Sequence, residues 1–475
     1  MRAALAALCL LTACPDRSLS TVPNNNTRVA TKTIPVSDDI DILFVVDNSL
    51  STADKQALFA QNFPNFVNVL DTKFGATRPN VHVAVVSTTV GTGSVVDLGP
   101  SCPKVAVHDD GAFHFAMLGG QTGIVNGVAC SGCSLDAGDT FLSDLQTPTG
   151  RMTNYSCPSA NPLATALPCM AEIGTTGCGF EAPLDAMKRA LDGSQHGNTG
   201  FLRPGAYLAV VILTDEDDCS VKDPALFSLD DVGPGDFRCQ PLWAYECDEA
   251  ISATTAGTYD GCVPRAGSDS PYLRDASAYY DFLATLKDPS QLVVAVIAGT
   301  NQDGTPPDPT GYQISTGPLQ IPGQTVEQQL ALEPSCNATV NGELAIARPG
   351  LRLASFVGQF GDRGKMYSVC QSDYSPALAD FGTRLSEAIK PCLEGNIDPT
   401  QCTVSYIYDY GTSSAMEQPL PACTPASTVA CWQIETNTTE CADPTLFPTH
   451  SELQILNSSP PAGTVTTVSC AVTGP

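Results

Sequence analysis

The sequence is poor in basic residues and lacks the short motifs of common enzymes. Lysine and arginine number 23 against 50 acidic residues, so the formal net charge of the 475-residue chain is -27. A surface this acidic repels phosphate backbones, which argues against nucleic-acid binding. No G-x-S-x-G, P-loop or H-E-x-x-H motif occurs, and the five histidines are scattered. No catalytic signature therefore points to an enzyme.

Hydrophobic runs long enough to span a membrane are also missing. A shorter run occurs in the N-terminal segment MRAALAALCLLTACPD. This run is too short to span a bilayer and is typical of an export signal. Its end, L-T-A-C, resembles a bacterial lipoprotein processing box, which implies cleavage before Cys14 and acylation of its thiol. The alternative is an ordinary signal peptide with an incidental cysteine. We expect a lipoprotein signal at 1–14, a tether at 15–36, and a lipid-anchored protein of the outer membrane or cell surface.

Cysteine, by contrast, is abundant. The chain has 20 cysteines, and those after Cys14 fall along the sequence into clusters of six, four, two and six. Even clusters in an exported chain predict disulfides, and we expect pairing mostly within each cluster, with the connectivity left open. The C-S-G-C segment at 130–133 has the spacing of a redox or zinc motif, but no second such pair accompanies it. Structural disulfides are the favoured interpretation there.

Apolar runs and amphipathic stretches alternate along residues 37–395. Strands are predicted at 41–46, 81–90, 207–218, 291–299 and 365–370, and helices at 53–71, 181–191, 275–288, 351–360 and 374–392. Pro64 is expected to kink or split the first helix. The alternation predicts an α/β fold with a doubly wound, mostly parallel sheet. Cysteine-rich insertions are expected near 98–178, 219–270 and 300–346, and a small β-rich module at 396–475.

Polar side chains follow two of the predicted buried strands. D-N-S-L-S, residues 47–51, comes directly after the first strand, and T-D-E-D-D, with Asp215, ends another. Because ligands bind beyond the carboxyl ends of parallel strands, we expect these segments to meet. Their oxygens suit a hard cation such as Mg²⁺. The alternative for the first segment is a helix N-cap. For the three acidic residues after Asp215, we expect a solvated acidic loop rather than a second cation site for Ca²⁺.

The D-x-S-x-S pattern after a buried strand resembles the metal-ion-dependent adhesion site of von Willebrand factor A domains. The resemblance covers about residues 37–395 and implies a divalent cation, Mg²⁺ or alternatively Mn²⁺ or Ca²⁺. In that family a threonine from a second loop completes the site. This chain departs from the pattern there, because Thr176 lies out of register and Glu181 is a further oxygen donor. The resemblance thus implies as metal ligands Asp47, Ser49, Ser51 and Asp215, with Thr176 or Glu181.

These expectations favour a binding protein over an enzyme. A cation held by few carboxylates keeps an open coordination position, which accepts a carboxylate from a partner protein. The first hypothesis is therefore a lipid-anchored protein that binds a protein partner through Mg²⁺ and an acidic side chain. The alternatives are a disulfide-stabilised structural protein of the envelope with a degenerate metal site, or a metal-dependent hydrolase.

Overall fold

The computed structural model describes most of the chain after the N-terminal segment. The described residues are 28–35, 39–73, 78–93, 98, 102, 109–115, 124–125, 128–129, 132–147, 150–228, 239, 242–265, 267, 269–321, 324–340, 343–458, 460 and 464–472. The expected signal peptide, the acylation site at Cys14 and the first part of the expected tether lie outside this part of the chain.

A seven-stranded sheet forms the centre of the described structure. With strands numbered in chain order, it contains β2 (Asp39–Val46), β3 (Asn80–Ser87), β7 (Leu142–Thr147), β8 (Gly150–Thr153), β10 (Tyr207–Leu213), β13 (Leu292–Ala298) and β18 (Gly364–Ser368). Their order is β18-β13-β10-β2-β3-β7-β8. The first five are parallel, and all residues of β10 and β13 are buried, as expected of strands covered on both faces. The mostly parallel sheet is as predicted.

Helices cover both faces of this sheet. They are α1 (Ala53–Lys73), α2 (Pro162–Ala171), α3 (Pro183–Leu191), α4 (Ser277–Leu286), α5 (Leu351–Gly358) and α6 (Ser375–Ile389). Apolar side chains of α1, α2 and α6 pack on one face, and those of α3, α4 and α5 on the other. Pro64 was expected to kink or split α1, and the split does not occur, because the helix is continuous from Ala53 to Lys73. Pro64 is exposed, and Phe59, Phe63 and Phe66 hold the helix against Phe44 on either side of it.

The strand order contains one point where the chain changes direction across the sheet. From β2 the chain passes to β3 on one side, and then to β10, β13 and β18 on the other. The crossover connections beside β2 therefore leave in opposite directions, which opens a crevice between the carboxyl ends of β2 and β10. In doubly wound sheets this crevice is where ligands bind. Asp47 and Asp215 follow these two strands.

The first of the three expected insertions, 98–178, differs from the prediction. Part of 98–178 belongs to the core, because β7 and β8 extend the sheet and α2 packs its apolar side chains against α1. The second and third insertions share a sheet of order β11-β12-β14-β15. One apolar cluster joins all three insertions. The remaining strands here are β4 (Ile124–Val125), β5 (Val128–Ala129), β6 (Ser134–Leu135), β9 (Tyr155–Ser156), β11 (Tyr245–Glu246), β12 (Gly257–Pro264), β14 (Tyr312–Ile321), β15 (Gln324–Leu332), β16 (Cys336–Val340) and β17 (Glu343–Ala347).

The C-terminal region is rich in strands and includes a strand from the N-terminal segment. It contains β1 (Arg28–Pro35), β19 (Ile397–Tyr408), β20 (Met416–Leu420), β21 (Cys431–Thr436), β22 (Ser451–Leu456) and β23 (Val465–Val472). The expected tether is wrong over β1, which pairs antiparallel with β23 along its whole length. Its β-branched residues suit a sheet, Ile34 is buried, and the Thr33 N–H donates to Ser290 Oγ at 3.0 Å.

Disulfides within the described residues follow the predicted local pattern. Each joins two cysteines of one cluster, which confirms the expected local pairing, and such bridges indicate an oxidising compartment. No helix of the described residues is long and apolar enough to cross a membrane. The bridges are Cys102–Cys178, Cys133–Cys157, Cys219–Cys239, Cys247–Cys262, Cys336–Cys370, Cys392–Cys441, Cys402–Cys470 and Cys423–Cys431.

Candidate metal centre

Asp47 is held in place at the candidate site by hydrogen bonds of its backbone and its carboxylate. Its N–H donates to the Leu213 carbonyl at 2.9 Å, which ties the end of β2 to the end of β10. Its buried carboxylate accepts the Ser49 N–H at 2.8 Å and the Thr214 hydroxyl at 2.6 Å. Ser49 begins a short 3-10 turn, but its side chain makes no capping hydrogen bond. The N-cap alternative therefore does not account for the Ser49 hydroxyl.

The two serines link the two strand ends. Ser49 Oγ lies 3.2 Å from Ser51 Oγ, and Ser51 Oγ donates to Asp215 Oδ1 at 3.1 Å. Asp215 is 2% exposed and follows β10. The oxygens of Asp47, Ser49, Ser51 and Asp215 thus gather at the crevice between β2 and β10. The expected convergence of the two segments is present, while their binding of a metal stays a prediction.

The electrostatics of this cluster fit a cation. Burial and, to a smaller extent, the negative charge of Asp215 raise the pKa of Asp47 to about 7. A divalent cation between the two carboxylates would relieve both costs. Within the described residues no three histidine, cysteine or acidic side chains form a metal-binding group. A metal here would instead rest on two carboxylates, hydroxyls and water, the ligands that Mg²⁺ accepts.

The second loop expected at the site lies beside D-N-S-L-S. The Gly177 N–H donates to the Asn48 carbonyl at 2.7 Å, and Thr176, next to it, is exposed. Glu181 is buried just before α3, where its carbonyl accepts the Cys219 N–H at 2.7 Å. The structure therefore brings this loop to the site, and the roles of Thr176 and Glu181 as ligands stay predictions.

Three residues at the site were missed by the sequence analysis. Thr214 orients Asp47 through the hydrogen bond given above, and Lys55 pairs with Asp215 at 2.9 Å. Thr88 lies level with Asp47, since its N–H donates to the Val46 carbonyl at 3.1 Å. Its buried hydroxyl has no partner among the described residues, so it is an unused oxygen beside the cluster. Thr88 directly follows β3, and Thr214 directly follows β10. This position at the end of a strand is the sequence signal that could have identified both threonines.

The acidic residues after Asp215 are not the solvated loop that was expected. Glu216 is half-buried, but Asp217 and Asp218 are fully buried. Asp217 accepts the Arg352 N–H at 2.8 Å, at the start of α5. Asp218 accepts the Leu184 N–H at 3.1 Å, at the start of α3, and pairs with the Arg352 guanidinium at 2.9 Å. Helix N-termini and a buried arginine, rather than water, therefore compensate these carboxylates.

Comparisons with known proteins give only weak likenesses. No family model matches the chain, and no curated protein matches it. A von Willebrand factor type A protein from Catenulispora acidiphila aligns at 8% identity and a TM-score of 0.28, over 94% of this chain and 65% of that one. The pilus adhesin SpaC from Lactobacillus rhamnosus GG, in its open conformation, aligns at 9% and 0.29, over 94% and 41%.

This chain therefore spans about two fifths to two thirds of the length of those proteins. Likenesses with TM-scores this low carry no argument about fold or function. The assignment to a doubly wound α/β fold rests on the strand order and on the helices that cover both faces of the sheet.

Proposed function

We propose that this chain is an exported binding protein that holds Mg²⁺ at the crevice between β2 and β10 and thereby engages a carboxylate of a protein partner. The observation that carries the proposal is the chain of close oxygens from Ser49 through Ser51 to Asp215, with the Asp47 carboxylate held nearby. Two segments more than 160 residues apart thus converge on one point. Mn²⁺ and Ca²⁺ are the alternative ions.

The protein's own part is to fix the oxygen donors. Asp47 is held in a turn by Ser49 and Thr214, and Asp215 is held through its carbonyl, which accepts the Arg348 N–H at 2.8 Å. Asp47, Ser49, Ser51 and Asp215 would hold the ion, with Thr176 or Glu181 completing the set. The bound ion would supply a coordination position for the partner's carboxylate.

The surroundings of the site favour binding over hydrolysis. Asp217 and Asp218, two of the three acidic residues after Asp215, are committed to the N-termini of two helices and do not act as a general base. Leu50, between the two serines, is 77% exposed. It gives the loop an apolar contact beside the oxygens, which suits a protein ligand.

Calorimetric titration of Mg²⁺, Mn²⁺ and Ca²⁺ into the purified mature chain tests the proposal. We expect one site for Mg²⁺ or Mn²⁺ that is lost in Asp47→Asn, because this variant lacks the fixed carboxylate. Asp281→Asn, on the exposed side of α4, is the matched control and should bind as the wild type does. Absence of heat and of thermal stabilisation by all three ions in the wild type would overturn the proposal.

We also propose that Cys14 is acylated and anchors the protein in the cell envelope. The disulfides support an oxidising compartment, and the L-T-A-C segment supports the anchor. Cys14→Ala should move the protein from the membrane fraction to the soluble fraction, whereas Cys9→Ala should leave the protein in the membrane fraction. A Cys14→Ala protein that stays with membranes would refute the anchor.

A further inference from the structure

Lys55 places a positive charge at the candidate metal centre. It lies in the first turn of α1, its side chain is only 2% exposed, and its Nζ is 2.9 Å from Asp215 Oδ2. The same ammonium donates to the Ser51 carbonyl at 2.8 Å and lies 3.2 Å from Asp54 Oδ1. Asp54 is 25% exposed, so it stands between the buried site and solvent.

Asp215 therefore serves two cations in different ways. One of its oxygens accepts the Ser51 hydroxyl and faces the oxygen cluster, and the other is paired with Lys55. Burial by itself would lower the pKa of Lys55, but the Asp215 and Asp54 carboxylates outweigh burial and raise the pKa above its usual value. The ammonium, held between the Asp215 and Asp54 carboxylates, repels any second cation a few ångströms away.

We infer that Lys55 is an internal counter-ion that competes with the divalent cation for Asp215 and so sets the metal affinity of the site. This inference rests on the proposed function. Asp54 provides the released ammonium with a second carboxylate, already 3.2 Å away, so metal binding does not leave Lys55 unpaired. A site of this kind binds metal more weakly than its oxygens alone would allow.

Substitution of Lys55 gives the direct test. Lys55→Met should tighten Mg²⁺ binding, measured by calorimetry, by about tenfold or more, because a full positive charge leaves the neighbourhood of the ion. Lys55→Arg keeps the charge and should not tighten binding. Lys73→Met makes the same change in the last turn of α1, about 27 Å away along the helix, and should leave the affinity unchanged.

Thermal unfolding keeps the test informative if Lys55→Met folds poorly. Without metal, this variant leaves the Asp215 carboxylate buried and unpaired, so its melting temperature in chelator should fall below that of the wild type. Saturating Mg²⁺ should then raise the melting temperature by more than it does in the wild type. Asp54→Asn should weaken Mg²⁺ binding severalfold, since the released ammonium loses its second partner.

The outcomes separate this inference from the proposed function. Equal Mg²⁺ affinity in wild type and Lys55→Met, with equal thermal shifts, overturns the role of Lys55 and leaves the metal site standing. Binding by neither protein overturns the metal site, and the role of Lys55 with it. Binding by Lys55→Met alone overturns metal binding as a function of the wild-type protein, and shows that Lys55 itself excludes the ion from Asp215.

The wild-type protein offers an independent check. Displacement of Lys55 from Asp215 should expose its amine, so acylation of Lys55 by an amine-reactive ester, read by mass spectrometry, should increase with Mg²⁺. Labelling of Lys73 serves as the internal reference. Labelling of Lys55 that is the same in Mg²⁺ and in chelator contradicts the displacement.

Discussion

At the scale of single residues, the site depends on a close approach between two loops. A Cβ atom on Gly177 would lie 2.1 Å from Asn48 Oδ1. That oxygen has little freedom to move, because Asn48 is buried and accepts the Thr89 hydroxyl at 2.8 Å. The loop that carries Thr176 therefore reaches D-N-S-L-S only because residue 177 has no side chain.

Gly177→Ala should push this loop away from Asn48. We expect the free energy of unfolding to fall by about 1–3 kcal/mol, as for other overpacked sites, and Mg²⁺ affinity to fall with it if the loop supplies a ligand. Gly311→Ala is the control, since a Cβ atom there meets nothing within 4 Å. If Gly177→Ala unfolds at the same urea midpoint as the wild type, the loop at Gly177 does not pack tightly against Asn48.

At the scale of elements, the segment after β10 organises the helices around the site. Asp217 and Asp218 satisfy N–H groups at the starts of α5 and α3, and the buried guanidinium of Arg352, in the first turn of α5, pairs with Asp218. The loop that carries Asp215 is thus anchored by buried charge to the starts of two helices on one face of the sheet. Such a pair is costly to break from one side, because the remaining charge stays in the interior.

Asp218→Asn should destabilise the fold strongly. The variant leaves the Arg352 guanidinium without its carboxylate, and we expect a loss of about 3 kcal/mol or more in the free energy of unfolding. Asp281→Asn, an exposed site on α4, should change it by less than about 0.5 kcal/mol. Equal urea midpoints for the two variants would contradict the proposed anchoring.

Strand β1 carries a buried lysine whose charge makes stability depend on pH. Lys32 Nζ donates to the carbonyls of Lys390 and Cys392, each at 2.9 Å. Burial lowers the pKa of Lys32 to about 8, although Glu394 opposes this shift. The unfolded chain therefore binds more protons at this group between pH 8 and its ordinary pKa of 10.5, so the contribution of Lys32 to stability improves as pH rises through this window.

Comparison with Lys32→Met isolates this effect. The free energy of unfolding of the wild type, relative to the variant, should rise between pH 8 and pH 10, by at most about 1.4 kcal/mol per pH unit. Below pH 8 the difference should be flat, because lysine is protonated in both states. Urea unfolding at pH 7, 8, 9 and 10 checks the slope, and a difference that falls with pH would have the wrong sign.

At the scale of the whole molecule, the two ends of the chain form one sheet. β1 pairs with β23, and the Ser290 hydroxyl, which bonds Thr33, connects this sheet to the start of β13. The candidate site lies at the carboxyl ends of the central strands, whereas β1 contacts the segment before β13. The N-terminal segment therefore enters the molecule at the end of the central sheet opposite the site.

Removal of β1 should weaken the C-terminal sheet. A chain that begins at residue 37 exposes one edge of β23 and loses the bonds of Lys32. We expect a lower melting temperature, with hydrogen exchange increasing in β19 and β23 rather than in β10. A chain that begins at residue 27 keeps β1 and is the control. Equal exchange in the two proteins would mean that β1 does not contribute to the fold.

The sequence predicted those parts of the molecule that depend on local patterns. Uninterrupted apolar runs predicted β2, β10 and β13, since strands buried on both faces need no polar alternation. The rule that ligands bind at the carboxyl ends of parallel strands predicted that Asp47 and Asp215 would meet. Both inferences needed only the order of residues along short segments.

The features that were missed depend on contacts distant in sequence. Strand β1, RVATKTIP, has no polar–apolar alternation that would predict a strand, and only its pairing with β23 makes it one. The burial of Asp217 and Asp218 requires helix starts and an arginine that lie far along the chain. In the sequence, nothing distinguishes Lys55 from other lysines of an amphipathic helix, because its partner Asp215 is distant along the chain and is brought beside it only by the fold.

The central claim is that oxygens of β2 and β10 share a divalent cation. Anomalous diffraction from crystals soaked in Mn²⁺ tests it most directly. We predict one peak at bonding distance from oxygens of Ser49 and Ser51, next to Asp47 and Asp215, with Lys55 moved toward Asp54. A map without a peak at this crevice, in which the Lys55–Asp215 pair is intact, would contradict the account.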